Sequence, residues 1–239
     1  MKQVRLNRKG AKLRISEIYS SLQGEGLLTG TPSVFVRTSG CNLRCWFCDT
    51  PFASWRPEGS YYSVDEIMAQ VAQLQTGHVV LTGGEPFIFA NLHELCQALR
   101  AAGEHLTIET AGTIYQRLEC DLISISPKLS GSAPDSSHGS WHQAHHQRRQ
   151  RLDIVRKLMR THPYQLKFVV DNVGDAQEML GYLHELGACD GTRVLVMPQG
   201  TQQSELERQA DWLVPWCQQH GLQFCPRAHI QWYGNLRGT

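Results

Sequence analysis

The 239-residue sequence has little of what marks several large functional classes. Charged residues make up only 19% of the chain and the formal net charge is +1, so nothing favours nucleic-acid binding electrostatically. No apolar run approaches a transmembrane span, and the basic first 14 residues lack the apolar core of a signal peptide. We expect a cytoplasmic protein whose thiols stay reduced, with that basic beginning as a solvated tail before the first strand.

Most of the eight cysteines are isolated in the sequence, with no other cysteine close by. A lone cysteine in a cytoplasmic protein is usually a small buried hydrophobic residue. We therefore expect five of them to be buried and chemically silent: Cys96, Cys120, Cys189, Cys217 and Cys225.

Cys41, Cys45 and Cys48 form the exception, a C-x3-C-x2-C loop entered from an apolar run. Three thiolates this close together can converge on one inorganic centre. A typical [4Fe–4S] cluster takes four cysteines, so three leave one iron free to bind a small molecule. Zinc is the alternative, although a closed zinc site needs four ligands and no second pair or nearby histidine supplies the fourth. Unligated thiols are the remaining possibility.

Short apolar segments alternate with amphipathic helical ones along the chain. Continuously apolar strands separated by helices are typical of a parallel sheet covered on both faces. We expect strands at 15–19, 33–38, 79–81, 106–109, 122–126, 165–170, 193–197 and 223–225. Six βα units are too few for a closed eight-fold barrel, so the fold class is α/β, a partial (β/α)6-type TIM-like barrel with a mostly parallel sheet. We expect one domain, 1–239, with an irregular excursion at 129–150.

Three helix starts carry capping signals. Ser63 with Glu66 forms a capping box, Asn91 can cap the next helix before Gly103 ends it, and Ser204 with Glu207 predicts a third capped start.

The polar and glycine-rich motifs follow strand ends, at 41–50, 83–86, 109–113, 127–128 and 198–199. In a barrel of this construction those ends form one face, where the chemistry lies. Gly83 and Gly84 lack Cβ atoms, so their backbone can approach a ligand closely, although two glycines also suit an ordinary turn. Arg37 offers a planar fork for a carboxylate, with a surface ion pair as the alternative.

The cysteine spacing resembles the signature of radical S-adenosylmethionine enzymes. The surrounding motifs resemble the 7-carboxy-7-deazaguanine synthase family within them, and the likeness spans nearly the whole chain. The motifs that carry it are Leu22-Gln23-Gly24-Glu25-Gly26, Cys48-Asp49-Thr50, Gly83-Gly84-Glu85-Pro86, Ser126-Pro127-Lys128 and Arg237-Gly238-Thr239.

The resemblance implies a carbon–nitrogen lyase that converts 6-carboxy-5,6,7,8-tetrahydropterin to 7-carboxy-7-deazaguanine and ammonia. This ring contraction leads toward 7-deazapurines such as queuosine. The implied cofactors are a [4Fe–4S] cluster, S-adenosyl-L-methionine and Mg2+, and the radical arises on the cofactor rather than on a catalytic side chain. A reducing donor such as flavodoxin and a homodimer are implied as partners, with no nucleic acid and no membrane.

The resemblance also assigns residues to these ligands. The cluster falls to Cys41, Cys45 and Cys48. The hydroxyl of Thr50 is assigned to Mg2+, which completes its shell with waters and anionic substrate groups. Cofactor binding falls to Phe47, Cys48, Asp49, Gly84, Ser126, Pro127, Lys128 and Gln199. Substrate binding falls to Leu22, Gln23, Gly24, Glu25, Arg37, Thr82, His229 and Thr239.

Two other functions share some of these features. A radical-generating activase that acts on a partner protein can have the same cysteine spacing and a similar length. A non-catalytic metal-binding module would need neither the glycine pair nor the series of strands. Four histidines also invite a second metal site, although no acidic partners accompany them: His138, His142, His145 and His146.

Overall fold

The structure is a computed structural model that describes residues 12–239. The part of the predicted basic tail at residues 1–11 lies outside the described residues. The strands are β1 (Leu13–Leu22), β2 (Pro32–Thr38), β3 (Ser60–Tyr62), β4 (His78–Gly83), β5 (His105–Thr110), β6 (Leu122–Ile125), β7 (Tyr164–Val170), β8 (Val194–Pro198) and β9 (Gln223–Phe224).

The helices connect and cover these strands. They are α1 (Pro51–Ser54), α2 (Val64–Leu74), α3 (Leu92–Ala101), α4 (Ser140–Arg149), α5 (Leu152–Thr161), α6 (Val173–Leu186), α7 (Gln203–Gln219) and α8 (Ala228–Tyr233). None of the helices within residues 12–239 has the length and apolar character needed to cross a bilayer.

Within residues 12–239, nine strands form one sheet in the order β3-β1-β2-β4-β5-β6-β7-β8-β9. The strands from β2 to β9 run parallel, whereas β1 pairs antiparallel with both β2 and β3. β3 and β9 are the two edge strands of this sheet and do not pair with each other, so the sheet does not close into a full barrel. The predicted α/β class and partial barrel are confirmed.

Burial explains why the strands are apolar on both faces. In β4 the four residues from Val79 to Thr82 are all buried, and so are all five residues of β8. Such strands have helices or other elements on both sides, as the continuous apolar runs predicted. The buried core cluster runs through the sheet and the helices, with Phe87 and Phe168 among its largest fully buried side chains.

The predicted capping box of Ser63 and Glu66 is confirmed. The Ser63 hydroxyl accepts the Glu66 N–H at 3.3 Å, and the Glu66 carboxylate accepts the Ser63 N–H at 2.7 Å. Asn91 occupies the predicted N-cap position of α3, although its side chain makes no capping hydrogen bond to the helix, and Gly103 follows the end of the helix at φ 85°.

The third predicted start was wrong. α7 begins at Gln203, so Ser204 lies inside the helix, and the Glu205 carboxylate accepts the N–H groups of Thr201 and Gln202. Ser204 is therefore two residues past the N-cap position, which Gln202 occupies.

Four short elements were not predicted from the sequence: α1, β3, α4 and α8. The most important of these is α4, which occupies residues 140–149 of the predicted irregular excursion. Helix α5 follows it at Leu152–Thr161, whereas residues 111–121 connect β5 to β6 without a helix.

Candidate active site

A cavity of about 330 Å3 opens where the carboxyl ends of the parallel strands meet. Its walls include Arg37 from β2, Thr82 from β4, Glu109 from β5, Lys167 from β7 and Met197 from β8. Parallel strands place their carboxyl ends at one edge, which explains why residues far apart in sequence share this wall.

Most of the predicted site residues line this cavity. They are Gln23, Gly24, Glu25, Arg37, Cys41, Cys45, Phe47, Cys48, Asp49, Thr50, Thr82, Gly84, Ser126, Lys128, Gln199, His229 and Thr239. Leu22 and Pro127 are not part of the lining: Leu22 ends β1 opposite Pro32, and Pro127 lies between two residues that do face the cavity.

The cysteine loop supplies the cavity with three free thiols, those of Cys41, Cys45 and Cys48. Burial raises the pKa of Cys41 to about 12 and that of Cys45 to about 11. Thiolates at these positions therefore need a positive centre beside them. The Cys48 sulfur also lies 3.1 Å from the Ser54 hydroxyl and 3.7 Å from the Thr50 hydroxyl. Three thiols beside an open cavity are a donor set that fits a cluster with one free iron.

No three His, Cys, Asp or Glu side chains within residues 12–239 are arranged around a single ion. The His142 and His146 rings pack edge to face at 4.7 Å, and three of the histidines at 138–146 have different further contacts. His145 is buried against the cysteine loop, His142 contacts the Pro134 carbonyl at 2.7 Å, and His138 packs on Trp55.

The glycine pair lets the cysteine loop pack against β4. A Cβ on Gly84 would lie 2.2 Å from the Gly40 carbonyl oxygen and 2.6 Å from that of Ala53. Gly83 has φ +153°, and a Cβ there would meet Thr38. The missing Cβ atoms therefore allow close backbone packing on this side, rather than only an approach to a ligand.

Glu85, next in the same motif, is fully buried and links the end of β4 to the end of β5 by hydrogen bonds. Its carboxylate accepts hydrogen bonds from the Thr110 hydroxyl at 2.8 Å, the Ala111 N–H at 2.8 Å and the Phe87 N–H at 3.1 Å. Burial raises the pKa of this carboxyl even so. Its hydrogen bonds go to the framework, so Glu85 stabilises the site's geometry.

A network of ion pairs forms the floor of the cavity. Lys167 contacts Glu109 at 2.6 Å and Glu25 at 3.1 Å, while Arg227 contacts Glu25 at 3.1 Å and also pairs with Asp49. Burial alone would raise the pKa values of the three carboxyls, but the charges of Lys167 and Arg227 hold them below their usual range. The carboxylates remain charged at neutral pH, as does Lys167, whose pKa these partners raise against the effect of burial.

Arg37 both lines the cavity and makes a buried ion pair. Its Nε lies 2.7 Å from the Glu17 carboxylate, and its Nη2 donates to the Tyr19 hydroxyl at 3.0 Å. The other oxygen of Glu17 lies 3.0 Å from Arg237, which stacks on Phe52 at 3.8 Å. Glu17 therefore joins the β2 arginine to the end of the chain.

Several predicted substrate residues already have partners within the protein. The Gln23 amide donates to the Ser33 hydroxyl at 2.9 Å, and the Thr82 hydroxyl donates to Glu109 at 2.8 Å. His229 lies 3.9 Å from Glu25, in space that exists because Gly24 has no Cβ. Burial lowers the pKa of His229, which favours the neutral imidazole.

Five residues of the charged floor and of the Arg37 contacts were not assigned to a ligand from the sequence: Glu17, Tyr19, Glu109, Lys167 and Arg227. Lys167 did offer a signal, because a lysine between Leu166 and Phe168 in a buried strand must find a counter-charge. Arg227 gave no such signal, since it follows the last strand and meets Asp49 across 178 residues.

Comparison with known proteins first gives the class. Residues 35–212 match the family model described as the Radical SAM superfamily, so the chain has the radical S-adenosylmethionine fold and belongs to that class of enzymes. The 7-carboxy-7-deazaguanine synthase of Rhodopirellula baltica is 47% identical over 232 residues, which cover 96% of this chain and 90% of the relative. That of Halobacterium salinarum is 43% identical, covering 96% and 94%. The chain belongs to the 7-carboxy-7-deazaguanine synthase family.

Solved structures agree on the fold. The crystal structure of QueE from Escherichia coli aligns with a TM-score of 0.68 at 22% identity, covering 91% of this chain and 95% of that one. SuiB from Streptococcus suis, bound to S-adenosylmethionine, aligns with a TM-score of 0.53 at 14% identity over 81% of this chain and 53% of its own. Family membership sets aside the activase and the non-catalytic metal-binding module.

Proposed function

We propose that this enzyme converts 6-carboxy-5,6,7,8-tetrahydropterin to 7-carboxy-7-deazaguanine and ammonia, on the route to 7-deazapurines such as queuosine. One observation carries the proposal: three free cysteines, a charged floor and Arg37 all face one cavity at the strand ends. The three cysteines suit an iron–sulfur cluster, whereas the charged floor and Arg37 suit a polar ring that carries a carboxylate.

Cys41, Cys45 and Cys48 would hold the [4Fe–4S] cluster, which supplies the electron for reductive cleavage of S-adenosylmethionine. The cofactor would lie between the cysteine loop and the strand ends. The cavity-lining residues proposed to contact it are Phe47, Asp49, Gly84, Ser126, Lys128 and Gln199. Lys128 donates to the Ser126 hydroxyl, so the two side chains are positioned together.

The charged floor suits recognition of a pterin. A pterin presents an amino group and ring N–H donors, for which Glu25 and Glu109 are charged acceptors. Lys167 and Arg227 hold both carboxylates in place and neutralise part of their charge. Because these side chains are already paired, the floor is organised before substrate arrives, which reduces the entropy lost on binding.

Arg37 would bind the substrate carboxylate. Its contact with Glu17 sets the orientation of the guanidinium, while Tyr19 holds one end of the fork. Arginine presents planar donors that match two carboxylate oxygens, which lysine cannot do. Thr82, His229 and Thr239 line the same cavity and complete the proposed substrate shell.

Mg2+ is proposed to bind between Thr50 and the substrate carboxylate. Thr50 lines the cavity directly after the cysteine loop. Mg2+ keeps several waters and takes few protein ligands when a substrate supplies anionic oxygens, so a single hydroxyl ligand from the protein is sufficient.

We further propose a cytoplasmic homodimer that receives electrons from a small reductant protein such as flavodoxin. A low-potential cluster needs a reducing compartment, and a cytoplasm supplies one.

The direct test is anaerobic turnover. Protein reconstituted with iron and sulfide is given the carboxylated pterin, S-adenosylmethionine, Mg2+ and a chemical reductant, and 7-carboxy-7-deazaguanine and ammonia are quantified together. We expect both in equal amounts, and neither from Cys45→Ala, which lacks one proposed cluster ligand. Cofactor cleavage without either product would contradict the proposed substrate.

Arg37→Lys refines this test. We expect the affinity for the pterin to fall about tenfold or more, because a two-point contact to the carboxylate is lost. The iron content should match wild type. Unchanged affinity would mean that Arg37 serves only its ion pair with Glu17.

A further inference from the structure

The segment from Leu129 to Arg149, called the brace below, packs on the outer side of the cysteine loop. It contains two short turns and α4, and α4 has no apolar face of its own. Its contacts with the loop are polar and directional, so it can fix the conformation of the loop.

The contacts follow an alternating pattern along the loop. Residues Cys41, Leu43, Cys45 and Phe47 line the cavity. The residues between them are bonded to the brace through their backbone. Arg148 donates to the Asn42 carbonyl at 3.0 Å, the Arg44 N–H donates to His145 at 3.1 Å, and the Trp46 N–H donates to the Ser132 carbonyl at 3.1 Å. Every second residue is thus held from outside while its neighbours face inward.

His145 is the buried centre of this arrangement, with no exposed surface. A backbone N–H can only donate, so Nδ1 must accept from Arg44 and the imidazole proton must lie on Nε2. Nε2 then donates to the Ser132 hydroxyl at 2.9 Å, and that hydroxyl donates to the Leu129 carbonyl at 2.6 Å. This tautomer therefore completes one chain of hydrogen bonds that runs from the Arg44 N–H through His145 and Ser132 to the Leu129 carbonyl. Burial lowers the pKa of His145 to about 4, which keeps this ring neutral.

Side chains of the loop reinforce the same contact. The Arg44 guanidinium stacks on Trp141 of α4 at 3.8 Å and donates back to the Cys41 carbonyl at 2.8 Å. The Trp46 indole donates to the Gly131 carbonyl at 2.8 Å. The loop is therefore bonded to both the turn region and the helix of the brace.

We propose that the brace presets the cysteine loop for its cluster, with His145 as the positioning residue. A loop that already holds its cysteines toward the cavity loses less conformational freedom when it binds the cluster, and it releases iron more slowly. This inference rests on the assignment of the three cysteines as cluster ligands.

Two variants separate the hydrogen bond from the bulk of the ring. In His145→Asn the amide oxygen stands where Nδ1 stood and can accept from Arg44. In His145→Gln the amide reaches Ser132 instead and leaves the Arg44 N–H without its acceptor. His142→Asn is the matched control, because His142 lies one turn earlier on α4 and its ring hydrogen-bonds the Pro134 carbonyl rather than the cysteine loop.

The first measurement is amide hydrogen exchange at Arg44 in the cluster-free protein. We expect exchange about tenfold faster in His145→Gln than in wild type, and near wild type in His145→Asn and His142→Asn. The second measurement is the rate at which a chelator bleaches the reconstituted cluster. We expect bleaching to be faster in His145→Gln than in wild type, and near the wild-type rate in His145→Asn and His142→Asn. Equal exchange in His145→Asn and His145→Gln, whether slow or fast, would overturn the proposal.

Arg148→Met keeps the test decisive if the His145 variants do not fold, because Arg148 is exposed. It removes the bond to Asn42, and we expect cluster bleaching about twofold faster or more. An unchanged rate would contradict the brace. Failure of wild-type protein to take up iron would instead contradict the proposed function. Amide exchange at Arg44 in the cluster-free protein would still test whether the brace fixes the loop.

Discussion

Thr50 occupies the junction between the cysteine loop and α1. Its carbonyl accepts the Ala53 N–H at 2.9 Å and so starts the helix, while its hydroxyl lies on the cavity 3.7 Å from the Cys48 sulfur. The backbone role survives removal of the hydroxyl, so the two roles can be separated by one substitution.

We expect Thr50→Val to keep the fold and the cluster but to need more Mg2+ for half-maximal turnover. Valine has nearly the same shape and offers no oxygen to the metal, and Mg2+ tolerates the loss of an octahedral ligand poorly. Turnover is measured against Mg2+ concentration, with Thr161→Val, whose hydroxyl bonds the Lys157 carbonyl far along α5, as control. Indifference to Mg2+ in wild type and Thr50→Val alike would refute the metal role.

Lys167 is the residue on which the charged floor depends, since it pairs with Glu25 and Glu109 while only 5% of its side chain is exposed. We expect Lys167→Met to lower the unfolding free energy at pH 7 by about 1–3 kcal/mol, because two partly buried carboxylates lose a partner, while Glu25 keeps Arg227. Lys157→Met, at an exposed position on α5, should change it by less than about 1 kcal/mol.

The pH dependence has a definite sign. The pKa values of Glu25 and Glu109 are lower in the folded protein than in the unfolded chain, where they are about 4.3. Their contribution to stability is therefore complete above pH 4.3 and is lost as the pH falls through the folded values. Wild type and Lys167→Met should converge in stability toward acid pH, as measured by urea unfolding of cluster-free protein. A difference independent of pH would show that the ion pairs do not carry the effect.

At the scale of secondary structure, the sequence predicted elements whose burial dictates their composition. Strands β4 and β8 are apolar because both faces are covered, and α2 begins where Ser63 and Glu66 exchange hydrogen bonds. Helix α4 could not be recognised in this way. Its contacts are made by His145, Trp141 and Arg148, so it lacks the apolar periodicity that marks a helix packed on a core.

Two substitutions at the start of α7 test whether Glu205, rather than the predicted Ser204, caps this helix. Glu205 accepts the backbone N–H groups of Thr201 and Gln202 before the helix, whereas Ser204 lies inside the helix, past the N-cap position. We expect Glu205→Ala to lower the unfolding free energy by about 1 kcal/mol, as loss of a cap does. Ser204→Ala should change it by less than about 0.5 kcal/mol. Urea unfolding measures both, and an equal or larger loss in Ser204→Ala would contradict the observed start.

At the scale of the whole molecule, the open sheet brings distant segments to one edge. The motifs near Gln23, Cys45, Gly84 and Lys128 were assignable from the sequence because each has a recognisable local pattern. The charged floor was not, since the meeting of Asp49 with Arg227 depends on how β9 and the end of the chain return to the cysteine loop. Local motifs were predictable, whereas the pairings between them required the fold.

The central claim is that the carboxylated pterin reacts in this cavity, beside the three cysteines. The most direct measurement is transfer of deuterium from a pterin deuterated at its carbon-bound positions to the 5′-deoxyadenosine that wild-type, cluster-loaded protein forms. We expect 5′-deoxyadenosine to carry deuterium and 7-carboxy-7-deazaguanine to accumulate with it. Formation of unlabelled 5′-deoxyadenosine in the presence of the deuterated pterin would contradict the claim.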